Sequence, residues 1–201
     1  MSPGVLGGPT DVQTIDLGPA TAEVARVVAG IRDEQLTAPT PCEGTTVAGL
    51  LDHLTGLTHA FRMAAEKTPV EGAASADPGH LPADWRTRIP AQLDALAAAW
   101  RDPAAHEGTA RAGGVDMPAG VAAVVALDEV VVHGWDLAVA TGQPYDVDDA
   151  AAEACRAFAE SFGDDRPPGL YGPVVPVPAD APALHRLLGA TGRDPSWRPP
   201  G

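Results

Sequence analysis

The chain has 201 residues, 45% of them hydrophobic and only 4% aromatic, a size that fits one domain burying its core without disulfide staples. Acidic residues outnumber basic ones 27 to 13, for a formal net charge of −14. That charge repels phosphate backbones and anionic membrane surfaces, which argues against nucleic acid and lipid as partners.

Much of the apolar content is Ala and Val, small side chains that favour closely packed helices. Cys42 and Cys155 stand far apart and in no CxxC spacing, and are read as two reduced thiols in preference to one disulfide. Residues 1–10 carry no Lys or Arg and no apolar run, so no secretory signal is expected there and the default location is the cytoplasm.

Proline and glycine cut the rest into helix-sized pieces. The first helix is predicted from near Asp11 or Pro19 to about Arg32, with Val24, Val27, Val28 and Ile31 at helical spacing. Residues 38–44 (APTPCEG) cannot continue it. Helix two follows Thr45 or Thr46, either a suitable N-cap, and runs to about Lys67. Residues 69–82 read as a loop. Helix three, about Asp84 to Arg101, aligns Ile89, Leu93, Leu96 and Trp100 on one stripe, with Pro90 disturbing its first turns.

A Gly-rich stretch from His106 to Gly114 allows a short extended piece, and Arg111 to Gly114 reads as a turn. Pro118 suits the first turn of helix four, which runs to Thr141 before Gly142 and Pro144 end it. A fifth helix fits Val147 to Phe162. Residues 164–178 are too rich in Pro and Gly for anything beyond an edge strand, and Pro182 opens a short helix through Leu188. The pattern predicts an all-α fold, an up-and-down bundle of four main helices with short extra helices at the C-terminal end.

Helix four is the informative element. Its apolar positions cover nearly the whole circumference, so it must be buried, yet it carries Asp128, Glu129, His133 and Asp136. Those charges also argue against a membrane span over Val121 to Ala140. Glu129, His133 and Asp136 fall within an arc of roughly 60°. A buried carboxylate needs a partner. On spacing alone, Glu129 and His133 either share a metal ion or bond to each other.

On helix two, His53 projects about 40° from Leu57 at the edge of the apolar stripe. It is either a packed, half-buried histidine or a third ligand completing a two-His, one-Glu set that leaves a coordination position open. His59 projects to the opposite side with Asp52 and is read as solvated. Trp135 is read as core, and Cys42 as a small buried thiol. HExxH, Walker, Rossmann and GxSxG motifs are absent.

Two blocks are also familiar. Residues 41–54 (PCEGTTVAGLLDHL) and 129–138 (EVVVHGWDLA), with Thr141, Gly142 and Gln143, resemble the metal-binding domain of mycothiol-dependent maleylpyruvate isomerase, of the DinB/YfiT-like superfamily of four-helix bundles. The tail, residues 171–182 with 186–188 and 192–195, resembles a branch of short bacterial members. The resemblance covers about residues 10–195 of a single domain spanning 1–201. It implies that His53, Glu129 and His133 ligate a divalent metal, Zn2+ first, with Ni2+ an alternative.

Asp136 is then a candidate second-layer carboxylate for His133 or a bridge to a neighbouring helix. Thr45 stands where many relatives carry Trp, and the chain ends before the isomerase's own C-terminal domain, so substrate contacts from that domain would be missing. The implied function is a transferase or isomerase in which the metal activates a small thiol, mycothiol by resemblance, toward a small electrophile. No residue stands out as general acid or base for that electrophile. The competing reading is a non-catalytic or regulatory bundle with a structural ion. Relatives of this kind also suggest a homodimer.

Overall fold

The computed structural model describes residues 15–68, 70, 72, 74–163, 166 and 169–199; the start near Asp11 and residues 1–10 lie outside them. The chain is mostly helical. It comprises α1 (Gly18–Gly30), α2 (Val47–Ala65), α3 (Trp85–Trp100), β1 (Thr109–Ala112), β2 (Val115–Pro118), α4 (Ala119–Ala140), α5 (Asp149–Glu160) and α6 (Ala183–Ala190). The expected all-α class holds.

Each helix begins and ends for a local reason. Thr46 caps α2, its hydroxyl accepting the Gly49 amide at 3.2 Å, and Asp148 caps α5 through the Ala151 amide at 2.8 Å. α1 ends two residues earlier than the pattern suggested, at Gly30, and a 3-10 turn over Asp33–Gln35 follows. α3 runs through Pro90 without breaking. The expected short extended piece forms as β1, and the expected turn falls at Gly113 and Gly114, both at positive φ; the turn leads into an unforeseen second strand, β2, which completes an antiparallel hairpin. Two adjacent left-handed residues make the turn whose twist suits a two-residue hairpin.

Helices α4 and α6 stop in the same way. After α4, Gly142 (φ 70°) lets the Gln143 amide reach back to the Ala138 carbonyl at 2.8 Å. After α6, Gly192 (φ 83°) lets the Arg193 amide reach the Leu188 carbonyl at 2.8 Å. Both are Schellman closures. The second carries α6 to Ala190, beyond the predicted Leu188, and throws Arg193 back toward the bundle. Among the described residues of 164–178 no strand forms; Val175 donates singly to the Gly189 carbonyl at 3.0 Å.

Helix α1 packs on α3 and α4, and α2 packs on the same two, so the four close a ring; α5 lies on α4 and α6 on α5. The core at the centre of the ring includes Val24, Leu54, Leu93, Trp100 and Leu127. Fifteen of the 22 residues of α4 are buried, as its all-round apolar pattern required, and Trp135 is among them. No helix among the described residues is long and apolar enough to cross a membrane.

Gly192 combines left-handed backbone with close approach, since a Cβ there would lie 2.7 Å from the Gly172 backbone; one at Gly142 would meet nothing. The left-handed penalty alone is about 1–2 kcal/mol. Gly142→Ala should lose about that much stability in chemical denaturation. Gly192→Ala should lose clearly more, because the chain at Gly172 must also move; equal losses would show that the contact carries no weight.

Candidate metal centre

The pairing of α2 with α4 brings together the three side chains that the sequence singled out. His53 comes from the middle of α2, and Glu129 and His133 from successive turns of α4. One donor atom of each lies within 4.8 Å of the other two. Nε2 of His53 is 3.6 Å, and Nε2 of His133 3.1 Å, from the same Glu129 oxygen, Oε2. The two imidazoles meet edge to face with centroids 5.0 Å apart.

That carboxylate oxygen is buried, and neither imidazole is aligned to hydrogen-bond to it. Two nitrogens and an oxygen gathered this closely without bonding one another form a donor set that suits a borderline-soft divalent cation.

The surroundings reinforce the set. Burial works against a charged His133, but Asp136 and Glu129 outweigh it and push its pKa up to about 10. Burial also opposes charge on Glu129, and His133 and His53 overcome it, holding the carboxyl well below the usual range. Asp136 is fully buried and does what the i+3 offset allowed: its Oδ2 lies 3.1 Å from Nδ1 of His133. The bridge it makes goes to the segment beyond α6 and not to a neighbouring helix: Arg193 donates to Oδ2 at 3.1 Å and to Oδ1 at 3.4 Å. Asp136 thus orients the histidine and is itself held by a charged fork.

The trio opens onto a cleft of about 590 Å3, whose walls include Cys42, Thr45, Asp128, Tyr171 and Arg193. The three side chains are partly exposed there, His53 at 25%, Glu129 at 27% and His133 at 12%. Cys42 corrects the expectation of a buried thiol: it is half-buried on the cleft wall, its sulfur grouped with His133 and Asp136 but not joined to His53 and Glu129. Both cysteines are free. Burial pushes the Cys155 thiol up beyond the range of physiological ionisation.

His59 is exposed, as read, whereas Asp52 is buried under the following loop, accepting the Asp77 amide at 3.2 Å. Three residues of the cleft escaped sequence reasoning as site residues. Asp128 is buried, which raises its pKa to about 7, and accepts the Tyr171 hydroxyl at 2.7 Å. Tyr171 and Arg193 sit in Pro- and Gly-rich tail segments with no periodicity to reveal a face. The one usable signal was the Thr-Gly-Arg sequence at 191–193, a helix stop like that at 141–143.

Fold and site together define an all-α protein whose cleft presents two histidines and a glutamate on adjacent helices. A family model, the mycothiol maleylpyruvate isomerase N-terminal domain, matches residues 17–138, and the chain belongs to that family. Two uncharacterised proteins of Mycobacterium tuberculosis, from strains CDC 1551 / Oshkosh and H37Rv, are each 32% identical over 184 residues, covering 84% of this chain and 91% of theirs. No solved structure matches the chain at a significant level. The matched span holds His53, Glu129, His133 and Asp136; Tyr171 and Arg193 fall outside it.

Removing one member of a buried ion pair typically costs about 3–5 kcal/mol, because the other charge is left unanswered. Asp136→Ala should destabilise the metal-free protein on that scale in denaturant titration, and Asp136→Ala combined with Arg193→Met should lose less than the sum of the two single changes; strict additivity would show the pair to be uncoupled. In the folded protein, iodoacetamide should label Cys42 and leave Cys155 untouched until denaturant is added, as read by mass spectrometry of the peptides.

Proposed function

We propose that this protein holds one divalent ion, zinc in the first instance, through His53, Glu129 and His133, and serves as a thiol-dependent transferase or isomerase. Mycothiol is the thiol that the family's description suggests, and a small electrophile is the second substrate. The observation that carries the reading is the buried Glu129 Oε2, set between two imidazole nitrogens and bonded by neither. Bound there, the ion would supply the Lewis acidity that ionises a thiol at neutral pH, as such ions bring a bound water to a pKa of about 7.

The chain's own residues prepare the place. By accepting the Nδ1 proton of His133, Asp136 fixes the tautomer that offers Nε2 as a lone pair. Arg193 holds Asp136 in position by donating to both of its carboxylate oxygens. The packing of α2 on α4 sets the reach of His53. The cleft gives a small molecule room beside the donors while covering much of its surface.

The competing reading, a purely structural ion, calls for a fourth protein ligand. Among the described residues none joins the trio, Cys42 included, which favours an open, reactive position. Site residues drawn from positions 53 to 193 also support treating the whole chain as one functional domain.

Protein purified without added ions should contain about one equivalent of divalent metal, and His53→Ala and His133→Ala should each abolish its retention. Because metal-free His133 holds an extra proton up to about pH 10, an ion must displace that proton. Apparent metal affinity should therefore rise with pH through the neutral range. Thiol binding that requires the ion supports the reading. A metal-dependent rise in Tm with no response to any thiol supports the structural ion instead.

A further inference from the structure

Asp128 occupies the position on α4 just before Glu129, on the wall of the same cleft, and is only 5% exposed. One of its carboxylate oxygens, Oδ2, accepts the Tyr171 hydroxyl at 2.7 Å. The other, Oδ1, is buried with no hydrogen-bond partner among the described residues. Native proteins rarely leave such an acceptor unanswered, and those that do so commonly lack the group that completes it.

The charged donor on the same cleft wall is already engaged, since Arg193 spends its fork on Asp136 and the Thr191 carbonyl. Tyr171 has a single proton, already given to Oδ2. What completes Asp128 therefore enters from the cleft. A carboxylate or phosphate is the wrong chemistry beside Asp128 and Glu129; an O–H or N–H donor is the right one.

We propose that Asp128 anchors a binding subsite beside the candidate metal centre, one that takes a hydroxyl or ammonium group carried by the same small molecule whose thiol lies at His53, Glu129 and His133. This rests on the thiol reading given above and adds the class of thiol, one bearing a hydrogen-bond donor a few atoms from sulfur. Tyr171 is the positioning residue, holding the Asp128 carboxylate from its far side. Its own segment is fixed where Gly172 abuts Gly192, so the tail residues that shape this end of the cleft are held as one unit.

The test uses the full chain loaded with cobalt(II), whose thiolate absorption band reports binding directly. The probes are 2-aminoethanethiol, 2-mercaptoethanol, ethanethiol and 3-mercaptopropionate, with three-carbon homologues of the first three. The amino and hydroxy thiols should bind about tenfold tighter than the alkyl thiol of equal length, the effect of one well-placed hydrogen bond, and the carboxylate thiol more weakly still. Asp128→Ala should erase the preference, so that the amino, hydroxy and alkyl thiols of equal length bind alike.

Asp128→Asn keeps a carbonyl acceptor but no charge. It should retain the hydroxythiol preference if a hydroxyl is the natural partner and lose the aminothiol preference if an ammonium is. Equal binding of all neutral and cationic thiols by the wild-type protein, or a preference that persists in Asp128→Ala, would overturn the subsite while leaving thiol binding intact. Failure of every thiol to perturb the cobalt spectrum would overturn the thiol reading and the subsite with it. The wild-type series decides without help from a variant that does not fold.

Discussion

Most of α4 is shut away from water by α1, α2 and α5, and its charged residues look for partners elsewhere in the chain. Glu129 lies 3.6 Å from His53 of α2, Asp136 accepts from Arg193 beyond α6, and Asp128 accepts at one oxygen from Tyr171 in the segment before α6. In a low-dielectric interior these pairings are strong when complete and costly when broken. They therefore fix which elements must meet, and at what register, more firmly than Ala and Val contacts could.

The same enclosure explains the chemistry. Imidazoles and carboxylates in water would compete with solvent for any cation; here they are held in place by packing, and only their cleft-facing atoms are accessible. Asp136 lies behind His133 and Arg193 behind Asp136, so the geometry at Nε2 is set by a chain of contacts that ends in the tight turn at Gly192.

The elements that sequence reasoning read well are those with a strong period or a clear stop. α2 and α3 fell within two residues of their predicted ends, and α4 was recognised as a buried helix because its apolar residues leave no polar face. His53, Glu129 and His133 were legible because i, i+4 spacing on one helix and an edge position on another restrict where side chains can point. The turn at Gly113 and Gly114 was legible from its glycines, but the strand after it was not, because Val, Asp, Met and Pro over four residues carry little alternation.

Asp128, Tyr171 and Arg193 were not recognised as site residues for a different reason. Long-range partners from irregular segments leave no periodic trace, and their role follows only from where the tail docks. Cys42 was misplaced because its burial depends on the shape of a loop, not on a helical face.

The tail's docking divides the work in two. His53, Glu129 and His133 all lie within residues 17–138, the span that the family model matches, while Tyr171 and Arg193 come from the tail. The cluster of donor atoms is thus built by one part of the chain, and a separate strip supplies part of the cleft wall beside it. Without that strip, Asp128 and Asp136 would each lose the partner it supplies. Changes in the tail can therefore reshape the wall of the cleft without touching His53, Glu129 or His133.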